Sequence, residues 1–206
     1  MLQTVGILAY GSLISNPGFE IKEILISTKC VDETPFPVEF ARRSGANKEK
    51  GRGGAPTLVP YPDGRNVRAQ VFVVNASVDE VTNRLYRREI GKVGEKDRCY
   101  EHTHNPKRDP VIVDRLEGHF GLHIVLYVRI CANIHKPTAA KLASYAIESV
   151  AKAEPDKDGI TYLKDAMAAD IETPLTGAYA KEIMRRTDTN CLADALKKVK
   201  AMAQYE

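Results

Sequence analysis

The sequence contains no tryptophan and only four cysteines, Cys30, Cys99, Cys131 and Cys191, none of them in a C-x-x-C pair. That spacing excludes a zinc or disulfide framework and leaves the cysteines as reduced packing residues. No stretch approaches about 18 consecutive apolar residues, so no membrane-spanning helix is expected. Met1-Leu2-Gln3-Thr4 does not open a basic region followed by an apolar one, which argues against a secretory leader and for a cytoplasmic protein. The Asn75-Ala76-Ser77 sequon is then accidental. There are no repeats and no low-complexity segments. Lys and Arg exceed Asp and Glu by only three, 30 against 27, with the signs mixed, so neither a dedicated nucleic-acid binder nor a membrane-surface protein is indicated. What is present is an ordinary globular balance in 206 residues, 43% apolar and 28% charged, enough to bury a core without staples.

The patterning divides the chain near Pro137. Before it the sequence reads as strands: residues 5–9, 35–41, 56–61, 67–74, 110–116 and 122–131. In the fourth of these, Val67, Ala69, Val71 and Val73 alternate with Phe72 and Val74. One helix interrupts them, about 78–89. Ser77 and Glu80 match the S-x-x-E capping box, and Val78, Val81 and Leu85 form one apolar face. After Pro137 the period changes to that of helices. The first carries Leu142, Tyr145, Ala146 and Val150, and the second Ile160, Leu163, Met167 and Ile171. A third is opened by Thr173-Pro174, and a fourth begins at Asn190. The expectation is a single α+β domain over 1–206: a mixed, mostly antiparallel, barrel-like β core to about residue 135, with the helical part from about 136 packed on it.

Glu89 breaks a local rule. It lies four positions after Leu85 and eight after Val81, so a helix aims it along the apolar face. It also lies at the helix C-terminus, where the macrodipole disfavours an anion. Such violations mark functional sites. The alternative is that the helix stops at Arg88 and Glu89 turns to solvent or pairs with Arg87 or Arg88. Tyr10-Gly11-Ser12-Leu13 ends the first apolar strand at a glycine. This is either a tight turn or a place where successive backbone N–H groups converge on an anion. His102 and His104 alternate near Cys99, either as a metal pair lacking further ligands or as a solvated strand end. The basic, glycine-rich segment 42–54 reads as a loop between strands or over a site; it lacks the interleaved aromatics of a base-stacking surface.

Tyr10-Gly11-Ser12-Leu13-Ile14-Ser15-Asn16-Pro17 after an apolar strand resembles the Y-G-S-L-I-x-N-P signature of the γ-glutamylcyclotransferase superfamily, nearest its ChaC-type branch. Further segments follow in the family's order: Phe40 to Ser44, Gly51 to Gly54, Pro56 to Val59, Val67 to Val74, Arg88-Glu89, Tyr100 and Gly159 to Leu163. The departures are Ser15 in place of an aromatic residue, Ala69 and Gln70 at a small or glycine position, the long charged segment Ile90–Arg98, and a final helix without a counterpart. The resemblance implies the family fold and Glu89 as the catalytic base. It also implies Tyr10, Gly11, Ser12 and Leu13 as substrate-binding residues through their backbone, and Tyr100 as a residue positioning the substrate.

The implied reaction is release of 5-oxoproline from a γ-glutamyl amide such as glutathione, a γ-glutamyl dipeptide or a γ-glutamyl amine. The substrate's own α-amine attacks its γ-carbonyl, so holding the substrate bent removes much of the entropic barrier. Glu89 would take a proton from the amine and return it to the leaving amine. Preorganised backbone donors at the oxyanion are worth about 3 kcal/mol each. Neither metal nor organic cofactor is implied, and the partner is the small-molecule substrate alone. Two other classes stay open: a γ-glutamyl-processing enzyme of a biosynthetic pathway, and a non-catalytic ligand-binding module on the same fold. Nucleic-acid binding through 42–54 is a third, and would need a strongly salt-dependent affinity.

Overall fold

The computed structural model describes residues 4–45, 51–101 and 111–203. The described residues form an α+β structure with a mixed five-stranded sheet, a two-stranded antiparallel pair and seven helices. They group into two compact units that interleave along the chain, Met1–Thr34 with Arg68–Cys131, and Pro35–Val67 with Ala132–Glu206.

The first unit holds the five-stranded sheet. Its strands are β1 (Val5–Ala9), β2 (Leu25–Val31), β5 (Ala69–Val74), β6 (Ile112–Glu117) and β7 (Ile124–Arg129), in the order β2-β5-β1-β7-β6. Three of the four pairings are antiparallel; β1 and β7 run parallel. The edges are β2 and β6, and among the described residues no pairing closes the sheet into a barrel. Central β1 is buried along its whole length, which is why Val5-Gly6-Ile7-Leu8-Ala9 reads as an unbroken apolar run rather than an alternation. Two single-turn helices follow β1, α1 (Ser12–Ser15) and α2 (Phe19–Lys22).

Helix α3 (Val78–Ile90) lies on one face of this sheet. Its Val81 and Leu85 pack with Val5, Ile7, Phe72, Val74, Leu126 and Val128, and Leu13 and Ile21 of the short helices join the same cluster. Burying two such side chains is worth about 1.5–3 kcal/mol each, so the core fixes which face of α3 turns inward. At its start the Ser77 hydroxyl accepts from the Glu80 amide at 3.3 Å, one half of the capping box. The Glu80 carboxylate faces Arg84 instead, at 2.7 Å.

The second unit joins the hairpin β3 (Val38–Ser44) and β4 (Ala55–Pro60) with α4 (Ala139–Val150), α5 (Gly159–Ala168), α6 (Thr176–Thr187) and α7 (Leu192–Ala203). Phe40 sits at its centre, edge-on to Tyr162 and Tyr179.

Several sequence expectations shift here. Thr173-Pro174 does not cap the third late helix. That helix begins at Thr176, and the Thr173 hydroxyl is given to the buried Glu39 carboxylate at 2.6 Å. Met167 is exposed rather than core, whereas Ile171, beyond the end of α5, is fully buried. The fourth helix starts two residues after Asn190, with the Cys191 carbonyl accepting from Ala195. Cys30, Cys99 and Cys191 are exposed free thiols, so they are not the packing residues their composition suggested.

Candidate active site

The turn after β1 is built around Gly11, at φ 70° and ψ −140°, a conformation that L side chains rarely adopt. It swings the chain out of the sheet and into α1, where the amides of Ser12 and Leu13 open the turn and have no acceptor within it. Leu13 turns inward to the core. Tyr10 leaves the strand end with its hydroxyl donating to the Val128 carbonyl at 2.7 Å, which ties the turn to β7. The Ser12 hydroxyl points the other way, to α3, and accepts from Arg88 Nη2 at 3.2 Å.

On α3 the helix continues through Glu89 to Ile90. Gly91 then takes the left-handed conformation at φ 72°, with Lys92 N–H donating to Arg87 O and Gly91 N–H to Arg88 O. This Schellman ending leaves Glu89 inside the final helical turn rather than on a frayed end. Its side chain is mostly buried, 15% exposed, and Arg88 Nη1 donates to Oε1. Arg88 is itself anchored to the β1 turn: Nε and Nη2 both donate to the Asn16 carbonyl, at 3.1 and 2.8 Å. The guanidinium therefore joins Ser12 and Asn16 to Glu89, residues more than 70 positions apart. The carboxylate's second oxygen, Oε2, meets no donor among the described residues. Of the alternatives weighed for Glu89, the pairing with Arg88 is present, although the helix does not stop at Arg88 but runs on to Ile90.

The residue the sequence did not reveal is Glu20. It is buried on α2 and meets the equally buried Arg87 of α3 in a forked contact, Nη2 to Oε1 at 2.8 Å and Nε to Oε2 at 3.0 Å. The Arg87 hydrogen bonds hold the Glu20 carboxyl below its usual range, against the opposing effect of burial. Arg84 reaches the same region, donating to the Glu20 carbonyl and to Glu23 at 3.1 Å. Three arginines on the second half of α3 thus hold the segment that follows β1. Nothing local announces this, because the two partners of the buried pair are 67 positions apart and each stands in an ordinary amphipathic setting.

Tyr100 is held by α3 and β6. Its amide donates to Asn83 Oδ1 at 2.7 Å, its hydroxyl accepts from the Val113 amide at 3.2 Å, and its ring lies edge-on to Tyr86. These contacts fix Tyr100 beside α3, its ring against Tyr86, one helical turn before Glu89. His102 and His104 lie outside the described residues, and among the described residues no group of three His, Cys, Asp or Glu side chains is placed to hold a metal ion. No described helix is long and apolar enough to cross a membrane. Of segment 42–54, residues 46–50 lie outside the described residues; the rest frames the β3–β4 hairpin, where Arg43 lies over the Tyr145 ring and pairs with Glu148 at 2.9 Å. That arginine serves the second unit's own packing.

No family model and no curated protein matches this sequence.

Proposed function

We propose that the chain is a γ-glutamylcyclotransferase-like enzyme that releases 5-oxoproline from a γ-glutamyl amide, with Glu89 as general acid and base. The observation that carries the reading is the Arg88 bridge: it ties Glu89, held at Oε1, to the Ser12 hydroxyl and the Asn16 carbonyl of the segment that follows β1. The substrate's α-amine attacks its own γ-carbonyl carbon, forming the lactam C–N bond while the amide C–N bond to the leaving amine breaks. One proton passes from the attacking nitrogen through Glu89 to the leaving nitrogen, so the reaction consumes neither water nor an oxidant. The amides of Gly11, Ser12 and Leu13, at the opening of α1, are the donors for the substrate carboxylate or the developing oxyanion. On this reading the sheet and α3 form the core of the family's fold. The four free thiols suit a reducing compartment, and we take the enzyme to act in the cytosol.

A second reading draws on the same ion pair. A carboxylate already neutralised by Arg88 serves equally to shape a pocket for a small ligand, and the chain would then bind a γ-glutamyl compound without turning it over. A panel of glutathione, γ-glutamyl dipeptides and γ-glutamyl amines separates the two. Release of 5-oxoproline with stoichiometric free amine supports the enzyme. Saturable binding by calorimetry with no product over hours supports the binding module.

A further inference from the structure

Arg88 is more deeply committed than a surface arginine of an ion pair. Its side chain is 13% exposed, and it donates four hydrogen bonds: two to the Asn16 carbonyl, one to the Ser12 hydroxyl and one to Glu89. The planar fork permits this, since a guanidinium presents its five N–H groups in fixed directions. The neighbouring arginines make Arg88 unnecessary as a clamp for α2. Arg87 already grips Glu20, and Arg84 already grips Glu23 and the Glu20 carbonyl. What Arg88 alone does is couple the orientation of one carboxylate to the turn after β1. It engages Oε1 only.

We propose that Arg88 is the positioning residue of this site: it fixes Glu89 against the Ser12–Asn16 turn so that Oε2 is the oxygen that exchanges the proton with substrate. The inference rests on the cyclotransferase reading and adds to it a residue that acts through Glu89 rather than on the substrate. Ser12 accordingly serves with its hydroxyl oxygen as an anchor for Arg88, which leaves its amide and its hydroxyl proton to donate elsewhere. Orientation matters on this scale because a displacement of about 1 Å at a reacting group can cost on the order of 100-fold in rate.

The test compares wild type with Arg88→Ala, Arg88→Lys, Glu89→Gln and the double variant Arg88→Ala/Glu89→Gln, all first matched by thermal melts and then assayed for 5-oxoproline release on the best substrate of the panel. Arg88→Ala is expected to lower kcat by about 10- to 100-fold with KM changed little. Methylguanidinium should restore part of that loss, and tetramethylammonium at equal ionic strength should not. Arg88→Lys keeps the charge but not the fork, and is expected to remain impaired. In the Glu89→Gln background Arg88→Ala should cost nothing further, because two residues acting through one group are not additive. If Arg88→Ala does not fold, the Lys variant decides by the same kcat criterion. Unchanged turnover, a loss confined to KM, or additive losses in the double variant would overturn this inference and leave the cyclotransferase reading standing. A wild type that releases no 5-oxoproline from any substrate overturns both.

Discussion

At the scale of single residues the site turns on whether Glu89 moves a proton. Glu89→Gln keeps the size of the side chain and lets its carbonyl oxygen accept from Arg88, so the turn and the helix end should survive. An amide cannot take a proton from the substrate amine. The expected outcome is a fall in kcat of about 10²–10⁴-fold with the substrate dissociation constant nearly unchanged, since the backbone donors of the β1 turn are untouched. Wild-type turnover in that variant would show that another group is the base. Glu89 was legible because it broke the apolar stripe of its helix. Arg88 was legible as a possible partner for Glu89 and as half of the Arg88-Glu89 resemblance; its grip on Ser12 and Asn16 depends on where β1 delivers the chain, and sequence spacing carries no such information. Glu39 was hidden differently. In Val38-Glu39-Phe40-Ala41 it takes the polar place of an alternating strand, the usual signature of a solvent-facing side chain, yet it is 2% exposed. Its carboxylate accepts from the Phe40 amide, the Thr173 hydroxyl and the Leu175 amide at 2.7, 2.6 and 3.3 Å.

At the scale of elements, α3 came through clearly, as Val78–Ile90 against an expected 78–89, because cap, stripe and stop signal agree along it. Strand β2 did not come through at all. Every residue of Leu25–Cys30 is exposed, so this edge strand has no buried face to impose an alternation, and it exists by pairing with β5. The two ends of α3 offer a comparison. Ser77→Ala removes the hydroxyl that caps the first turn and should cost about 1 kcal/mol. Gly91→Ala meets no steric obstacle, since nothing lies within 4 Å of the added Cβ. Its cost is the left-handed backbone alone, again about 1 kcal/mol. Stability therefore falls alike at both ends, but only the Gly91 variant loosens the turn that carries Arg88 and Glu89. Denaturant melts should show similar shifts, while kcat should fall in Gly91→Ala and hold in Ser77→Ala. Equal activities would mean that the Schellman ending does not govern the site. Glu20→Ala is a harsher change. It strips the partner from a buried guanidinium, and should cost about 3–5 kcal/mol.

At the scale of the whole molecule, the division seen in the sequence near Pro137 is real as a change of secondary structure but is not the boundary between the compact units. The hairpin β3–β4 belongs with the late helices. Strand patterning reports which residues alternate, and says nothing about which partner a hairpin chooses. The two units also carry opposite acid responses. In the first, Arg87 holds the Glu20 carboxyl below its ordinary range. The folded state thus favours the ionised form: its contribution is present above the unfolded value, near pH 4.3, and is lost as pH falls through the lower folded value. In the second, burial pushes the Glu39 carboxyl up, with the Thr173 hydroxyl and the Phe40 and Leu175 amides only partly offsetting it. There the folded state favours the protonated form, and the contribution is present below the unfolded value and lost as pH rises through the raised one. Acidification from about pH 5 downward should therefore weaken the contact between α2 and α3 while it relieves the buried charge at the start of α6. Amide hydrogen exchange followed through such a titration is expected to show protection falling first at Ile21–Glu23 and Arg87–Glu89, with the amides of Leu175 to Tyr179 holding. In Glu20→Gln, which cannot ionise, the early loss around α2 should no longer depend on pH. Protection lost uniformly along the chain, or first at Leu175, would show that neither buried carboxylate governs how the molecule yields to acid.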